Sequence, residues 1–383
     1  MNENVEFETS KKRMGKEKVI GIVIFLVLIL VIILFAVFKD KFTTKELTTI
    51  YGAVGGGKEN FLADDEFSEI LKDKYNLKVV NETWSNGKLV KNELKTENGG
   101  NYDFIFFSDQ RFYDYYKLSP DQSKGEAKRE TVQKGSLTLN TPIVIYSWDI
   151  VVDALIKEKI VTLKDGVYYI TDMNKLLNYI MERKSWKDIG LDTLYGKINI
   201  DSTDPVTSSP GATYYGLLLS IMSGGEVLEE NIEANLPKLK EFYEKSGYMN
   251  NTPADLFDMY LKTGVGAKPM IVDYEKSIID FANSNPDGYN QIKDKIRILY
   301  PTPTIWNSHC LASLDENGNK YYDVFNDKNV QQIAWSKYGF RTGTTGGSYD
   351  VTTVPVKGIP QTIDSTVPGL KMALYDRLIE YLK

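Results

Sequence analysis

The chain has 383 residues, with 46 Lys and Arg against 52 Asp and Glu, a net charge of −6, a single histidine (His309) and a single cysteine (Cys310). The acidic balance argues against nucleic acid and anionic lipid surfaces as partners. One cysteine excludes an internal disulfide, and one His beside one Cys leaves a zinc site or a Ser-His or Cys-His hydrolase short of its usual groups. No metal and no cofactor is therefore expected, and His309 reads as packing beside an apolar strand.

Residues 1–18 carry Lys11, Lys12, Arg13, Lys16 and Lys18 against four acids, so this tail is +1 and −7 is left for the rest. Val19–Phe38 follows, twenty residues without charge or proline. At about 1.5 Å per residue such a helix spans roughly 30 Å, the hydrocarbon thickness of a bilayer. The run is too long for a signal-peptide core, and neither a small-x-small cleavage site nor a lipid-attachment cysteine accompanies it. It reads as an uncleaved transmembrane signal anchor over 19–38. The basic flank places tail 1–18 in the cytoplasm and the body, from residue 43, outside a single-pass cell-membrane protein. An exported body without disulfides fits a Gram-positive surface.

Downstream, apolar and amphipathic runs alternate. Leu47–Ala53 reads as a strand that breaks into the glycine run Gly52–Lys58, and Phe61–Tyr75 as a helix with Phe67, Ile70 and Leu71 on one face. Leu77–Asn81 is the next strand. The polar, Gly- and Asn-rich Trp84–Asn101 reads as a hairpin or surface insertion. Tyr102–Phe107 is almost wholly apolar, as buried parallel strands are, and ends at Ser108-Asp109. Lys117–Lys134 is basic and reads as a solvated loop with some helix. Pro142–Tyr146 is another buried strand, leading to the helical Asp149–Lys157. Ile198 and Ile200 mark a short strand before a run of hydroxyls and an apolar helix. A strand at Met270–Val272, a helix at Lys276–Asn283, a strand at Ile296–Tyr300 and a helix at Asn329–Tyr338 complete the pattern. The chain closes with a helix over Leu370–Leu382, where Leu374, Leu378 and Leu382 recur every four residues. No internal repeat is present. This order predicts an α/β fold with open sheets, whose ligands sit at the carboxyl ends of strands.

The hydroxyl-rich loop Thr207–Gly211 opens onto a helix N-terminus. Unpaired N–H groups and the positive end of the helix dipole meet there, an arrangement that holds anions without a charged side chain. Taken alone, the same loop also reads as an ordinary capped turn. Gly52–Lys58 matches the G-x-x-x-x-G-K pattern of phosphate loops, but Glu59 stands where a magnesium-binding Ser or Thr belongs. A P-loop NTPase is thus a weak alternative, and the plain reading is a βα turn needing positive φ with Lys58 in solvent. Trp148 ends the run that begins at Pro142 and Trp306 follows the strand Ile296–Tyr300, and at most one of them is expected to form an apolar wall of a ligand site.

In order along the chain, the segments TIYGAVGGGKENF, YDFIFFSDQ, TPIVIYSWDIVVDAL, GKINIDSTDPVTSSPGATYYGLLL, MIVDYEKSII, IRILYPTPTIWNSH and VQQIAWSKYGFR resemble the type II extracellular (periplasmic-type) solute-binding proteins of ABC importers, in the branch holding molybdate, sulfate and phosphate. The resemblance covers about Leu47 to Phe340. It implies a two-lobed, non-enzymatic binding protein, with residues 43–140 as the first part of lobe one and 141–295 as lobe two. Residues 296–383 form the return to lobe one and the C-terminal helix. Thr141–Tyr146 carries the chain across and Ile296–Pro303 carries it back. The implied ligand contacts are Gly55, Gly56 and Gly57, the Ser108 hydroxyl, the helix cap of Thr207, Ser208, Ser209 and Gly211, and Tyr274. Asp109 follows the serine as the proton acceptor of phosphate binders does. The implied partners are a small oxyanion and an ABC permease or another surface protein. A membrane anchor in place of a lipid-modified cysteine departs from the pattern, as does the absence of arginine in the cap. Glu275 departs as well, as a second acid beside the cleft. These departures leave an amine, sugar or peptide open as ligand, and leave open an accessory or sensor protein that reuses the fold.

Overall fold

The computed structural model describes residues 20–21, 24–33, 46–91, 95–118, 129–247, 249–250, 252–343 and 349–383. It comprises two compact units, residues 1–47 and 48–383. In the first, residues 20–21 and 24–33 are helical and expose their apolar side chains. Among the described residues no helix is long and apolar enough to cross a membrane. The remainder of the expected anchor 19–38, and all of the tail 1–18, lie outside the described residues.

The second unit contains strands β1 (Thr48–Gly55), β2 (Leu77–Trp84), β3 (Phe104–Phe107), β4 (Lys134–Trp148), β5 (Val161–Lys164), β6 (Val167–Ile170), β7 (Met270–Tyr274), β8 (Ile296–Pro301), β9 (Thr304–Ser313), β10 (Arg341–Thr342) and β11 (Thr366–Val367). The order across the sheet is β2-β1-β3-β9-β4-β8-β6-β5, with β7 and β10 also on β4 and β11 on β9. β1, β2 and β3 are parallel to one another; the apolar runs of β1 and β3 are buried, whereas β2, at the sheet edge, buries only Leu77 fully. β4 divides its pairing. Lys134–Pro142 pairs with β9 of lobe one, whereas Ile143–Trp148 pairs with β7 and β8 of lobe two. Pro142, which has no N–H to give to a ladder, stands where the strand changes partners. The chain returns through β8 into β9, and the Thr304 hydroxyl donates to the Ile143 carbonyl at 2.6 Å, pinning the two passages together.

Several elements depart from the expectations. The helix predicted over Phe61–Tyr75 is two, Glu59–Leu62 and Asp65–Asp73, because the Asp64 carboxylate accepts the Phe67 N–H and starts a new helix. The segment read as a surface insertion folds in part, as a turn of helix at Asn86–Leu89 that buries Asn86 and Leu89. Ile198 and Ile200 are buried but form no strand, and only single-residue bridges such as Asp201–Ile271 hold this stretch. The last helix, Met372–Leu382, buries Leu374, Leu378 and Leu382 in the core of lobe two, while Tyr375 meets Phe112 of lobe one edge-on.

A buried ion pair lies beside the crossing. Arg341 of β10 donates to Glu275 through Nε (2.6 Å) and Nη2 (2.8 Å), the Tyr300 hydroxyl donates to the same carboxylate at 2.6 Å, and the carbonyls of Pro360 and Gln361 take further guanidinium protons. Both charges are almost wholly out of water. Removing one partner strands the other, at a cost of about 3–5 kcal/mol. Glu275→Gln is therefore expected to lower the unfolding free energy from denaturant titration by that much, read as a lower midpoint at unchanged slope. A doubly apolar Glu275→Leu, Arg341→Leu protein should lie closer to the parent than Glu275→Gln does.

Candidate functional site

A cleft of about 650 Å³ opens between the lobes at the carboxyl ends of β1 and β3. Lobe one contributes the loop after β1 and the end of β3. Lobe two contributes the first turn of the helix Ser209–Ser223, together with one face each of the helices Glu275–Ser284 and Pro253–Thr263.

Lys58 forms the floor of this cleft. Its side chain folds back under the glycine run, Nζ donating to the Gly55 carbonyl at 2.5 Å and lying 4.7 Å from the centre of the Phe106 ring. It is 1 % exposed, and no carboxylate approaches Nζ within ion-pair distance among the described residues. Burial pushes the ammonium down to about 7, with Glu59 and Cys310 opposing and Lys276 adding to the effect. The expectation of a solvated Lys58 is thus corrected: the short turn after Gly57 directs the side chain inward. Lys276, in the first turn of its helix, lines the same cleft with Nζ 5.1 Å from the Phe340 ring centre.

His309 packs in β9 as expected, edge-on to Phe340, and lies beside Lys58. It is 2 % exposed and lines the cleft, with Nε2 3.2 Å from the Asn307 amide and Nδ1 without a partner. Burial, then the charges of Lys58 and Lys276, hold it well below the usual histidine range, so the ring is neutral. If Asn307 donates to Nε2, the proton resides on Nδ1 and has no acceptor.

Of the residues singled out from sequence, Gly56, Gly57, Ser108, Thr207, Ser208, Ser209 and Tyr274 line the cleft, and Gly55, Asp109, Gly211 and Glu275 do not. Gly55 has a packing reason, since a Cβ there would stand 2.8 Å from the Ser108 nitrogen. Gly211 has another, because a Cβ would stand 2.2 Å from the Thr203 carbonyl. The Gly57 N–H is already taken by the Glu59 carboxylate at 2.7 Å, so the glycine loop is closed by its own acid. Asp109 turns inward, caps the helix Gln110–Lys117 and pairs with the buried Arg111. Glu275 belongs to the Arg341 pair. Neither acid reaches the cleft, because each has a buried guanidinium to neutralise. Trp148 donates to the Lys268 carbonyl and packs on Tyr260; neither it nor Trp306 lines the cleft, and Trp84 does.

Ser108 is held by Asn86, which takes the Ser108 N–H on Oδ1 (3.1 Å) and gives its amide to the hydroxyl oxygen (2.8 Å). That leaves the Ser108 hydroxyl proton for a ligand. Across the cleft, the Ser208 hydroxyl donates to Thr203 at 2.9 Å, and the Ser209 and Gly211 amides find no acceptor among the described residues. Asn86 and Asn307 were not singled out from sequence. Each acts through a neighbour distant in the chain, which leaves no local pattern.

No protein-family model and no curated protein matches the chain. The solved structures do match in shape. An ABC transporter structure from Clostridium perfringens superposes with a TM-score of 0.54 at 13% identity, covering 87% of this chain and 97% of its own. A protein from Bordetella parapertussis assigned as an extracellular solute-binding protein gives 0.55 at 13%, covering 87% and 96%. The fold is that of the solute-binding proteins of ABC transporters. A two-component system protein that mediates signal transduction has the same shape, with a TM-score of 0.51 at 13% identity, covering 88% of this chain and all of its own (100%).

The buried ammonium sets a pH dependence. Below pH 7 Lys58 is protonated in both folded and unfolded chains, and the full cost of burying its charge is present. As pH rises through about 7 the folded protein releases that proton while the unfolded chain still holds it, so this cost falls away towards the ordinary lysine range. Lys58→Met should therefore raise the melting temperature clearly at pH 6, and the gain should shrink by pH 9.

Proposed function

We propose that the body is an extracellular solute-binding protein that captures a small anion in this cleft without chemical turnover and delivers it to an ABC permease. The observation that carries the reading is Lys58, a buried cation whose polar contact is one carbonyl. A ligand anion at the cleft floor would supply the missing counter-charge, with the Ser108 hydroxyl, the His309 Nδ1 and the Ser209 amide as donors. The glycine run does not favour a nucleotide, because Glu59 occupies the amide a phosphate would need.

We further propose that Val19–Phe38 anchors the chain with the body outside the cell. Support comes from the uninterrupted apolar run, its basic N-terminal flank and the outward-facing apolar side chains of residues 24–33. The signal-transduction protein of the same shape favours a second reading, a surface sensor that reports the ligand rather than passing it on.

Two measurements test these proposals. Protease added to wall-stripped intact cells should digest the body; digestion of the N-terminal tail alone would reverse the topology. The detergent-solubilised full chain should melt higher in the presence of a bound anion, by an amount equivalent to about 2.7 kcal/mol at 100 times Kd. Lys58→Met should abolish that stabilisation while remaining folded, and an undiminished shift in this variant would remove the basis of the anion reading.

A further inference from the structure

The cleft is larger and more apolar than an inorganic ion needs. At about 650 Å³ it falls within the roughly 300–1,000 Å³ that holds drug-sized molecules. Polar groups lie at the floor, around Lys58, His309 and Ser108, and on lobe two at the helix start Thr207–Ser209 and at Asp273, Lys276 and Ser277, but one part of the lobe-two wall is apolar. Phe257 and Leu261 stand four residues apart on the inward face of the helix Pro253–Thr263, and Phe281 meets Phe257 edge-on, the ring centres 6.2 Å apart. Leu261 and Phe281 are only half-buried, so apolar surface is left facing the cleft.

Charge is unevenly divided: Glu59 and Asp273 also line the cleft, Glu59 accepting from the Gly57 amide and Asp273 from the Tyr274 N–H, at 2.7 Å each. Of the two cations, Lys58 lies over Phe106, while Phe340 carries the Lys276 ammonium on its face and meets the His309 ring edge-on at 5.2 Å. The charged residues on the apolar wall are acids. Asp258 pairs with Lys262, and Asp280 accepts from Asn60 across the cleft. A ligand with anionic groups at both ends would meet those carboxylates.

On the reading that the cleft binds an anion, we infer that its ligand is an organic monoanion, with a carboxylate-like head on the Lys58 floor and an apolar, ring-sized body against Phe257, Leu261 and Phe281. An inorganic oxyanion would satisfy the floor and leave that wall uncovered. An apolar body converts the same surface into burial on binding, at roughly 25 cal/mol per Å² before ordering costs.

Titration calorimetry on the detergent-solubilised full chain at pH 6.5 tests this with sulfate, phosphate, acetate, phenylacetate and phenylacetamide. Phenylacetate should bind at least tenfold tighter than acetate, sulfate and phosphate, and phenylacetamide should bind at least tenfold more weakly than phenylacetate. Phe281→Ala and, separately, Leu261→Ala should reduce the ratio of phenylacetate to acetate affinity. Lys58→Met, expected to be the more stable protein, should reduce phenylacetate binding at least tenfold. Sulfate or phosphate binding tighter than phenylacetate would overturn the organic ligand and leave the anion site standing, as would a ratio unchanged in both wall variants. Phenylacetamide binding as tightly as phenylacetate, or no binding by any of the anions, would overturn the anion site itself.

Discussion

Residues 134–142 of β4 take their hydrogen bonds from β9 and residues 143–148 take theirs from β7 and β8, so the elements of either lobe are set against one continuous backbone. A single residue of register shift in β4 would turn its inward face outward in both sheets at once. The surrounding contacts resist such a slip. Thr304 grips the Ile143 carbonyl, and Lys276 gives its N–H to the Thr141 hydroxyl at 3.3 Å. The Arg341–Glu275 pair then fixes β10, itself paired with β4, to the start of the helix that carries Lys276. Lys276 is thus referenced to β4, whereas Lys58 follows β1 of lobe one, and relative motion of the lobes would change their separation.

Much of this architecture was legible in the sequence, because buried parallel strands announce themselves as short apolar runs. The FIFF run of β3, and the passage from Met270–Tyr274 into a helix, could be read without knowing what they touch. The loops that follow strands could be placed for the same reason. What escaped was the direction of single side chains. Asp109 and Glu275 follow strand ends as ligand-binding acids would, yet both face inward, and the cause of the second is Arg341, sixty-six residues away. Arg111 stands only two residues from Asp109, so that pair was visible in principle; the resemblance drew attention to the acid and away from its neighbour. Lys58 was misplaced because a lysine after a glycine run is ordinarily solvated, and only the Phe106 ring and the Gly55 carbonyl show where it goes.

The acidic balance of the chain and the cationic floor of its cleft act together. A protein of net charge −6 repels anions at long range. Such repulsion is screened within about 10 Å at 0.1 M salt, whereas charges inside a narrow, partly desolvated cleft are screened much less. Lys58 and Lys276 therefore govern what happens at the floor whatever the net charge outside. The rim acids Asp258 and Asp280 disfavour a second negative group there, which is why the proposed ligand carries its charge to the floor and an uncharged part to the wall.

Lys58, Arg111 and Arg341 are all buried cations of the second unit, and they are treated differently. Arg111 has Asp109, and Arg341 has Glu275 together with Tyr300 and two backbone carbonyls. Each of these charges is matched where it lies, as a structural charge must be if the fold is to tolerate it. Lys58 has a carbonyl and the face of a ring, and next to it a histidine has a nitrogen with no partner. A fold that neutralises two of its buried cations so fully does not leave the third in this state for lack of acids, since Glu59 is the next residue and is spent on the Gly57 amide instead. An unmatched charge and an unmatched ring nitrogen on one cavity wall lower stability while the cleft is empty, and they are tolerated where the cost is recovered on binding. On the proposed reading, the missing counter-charge comes with the ligand.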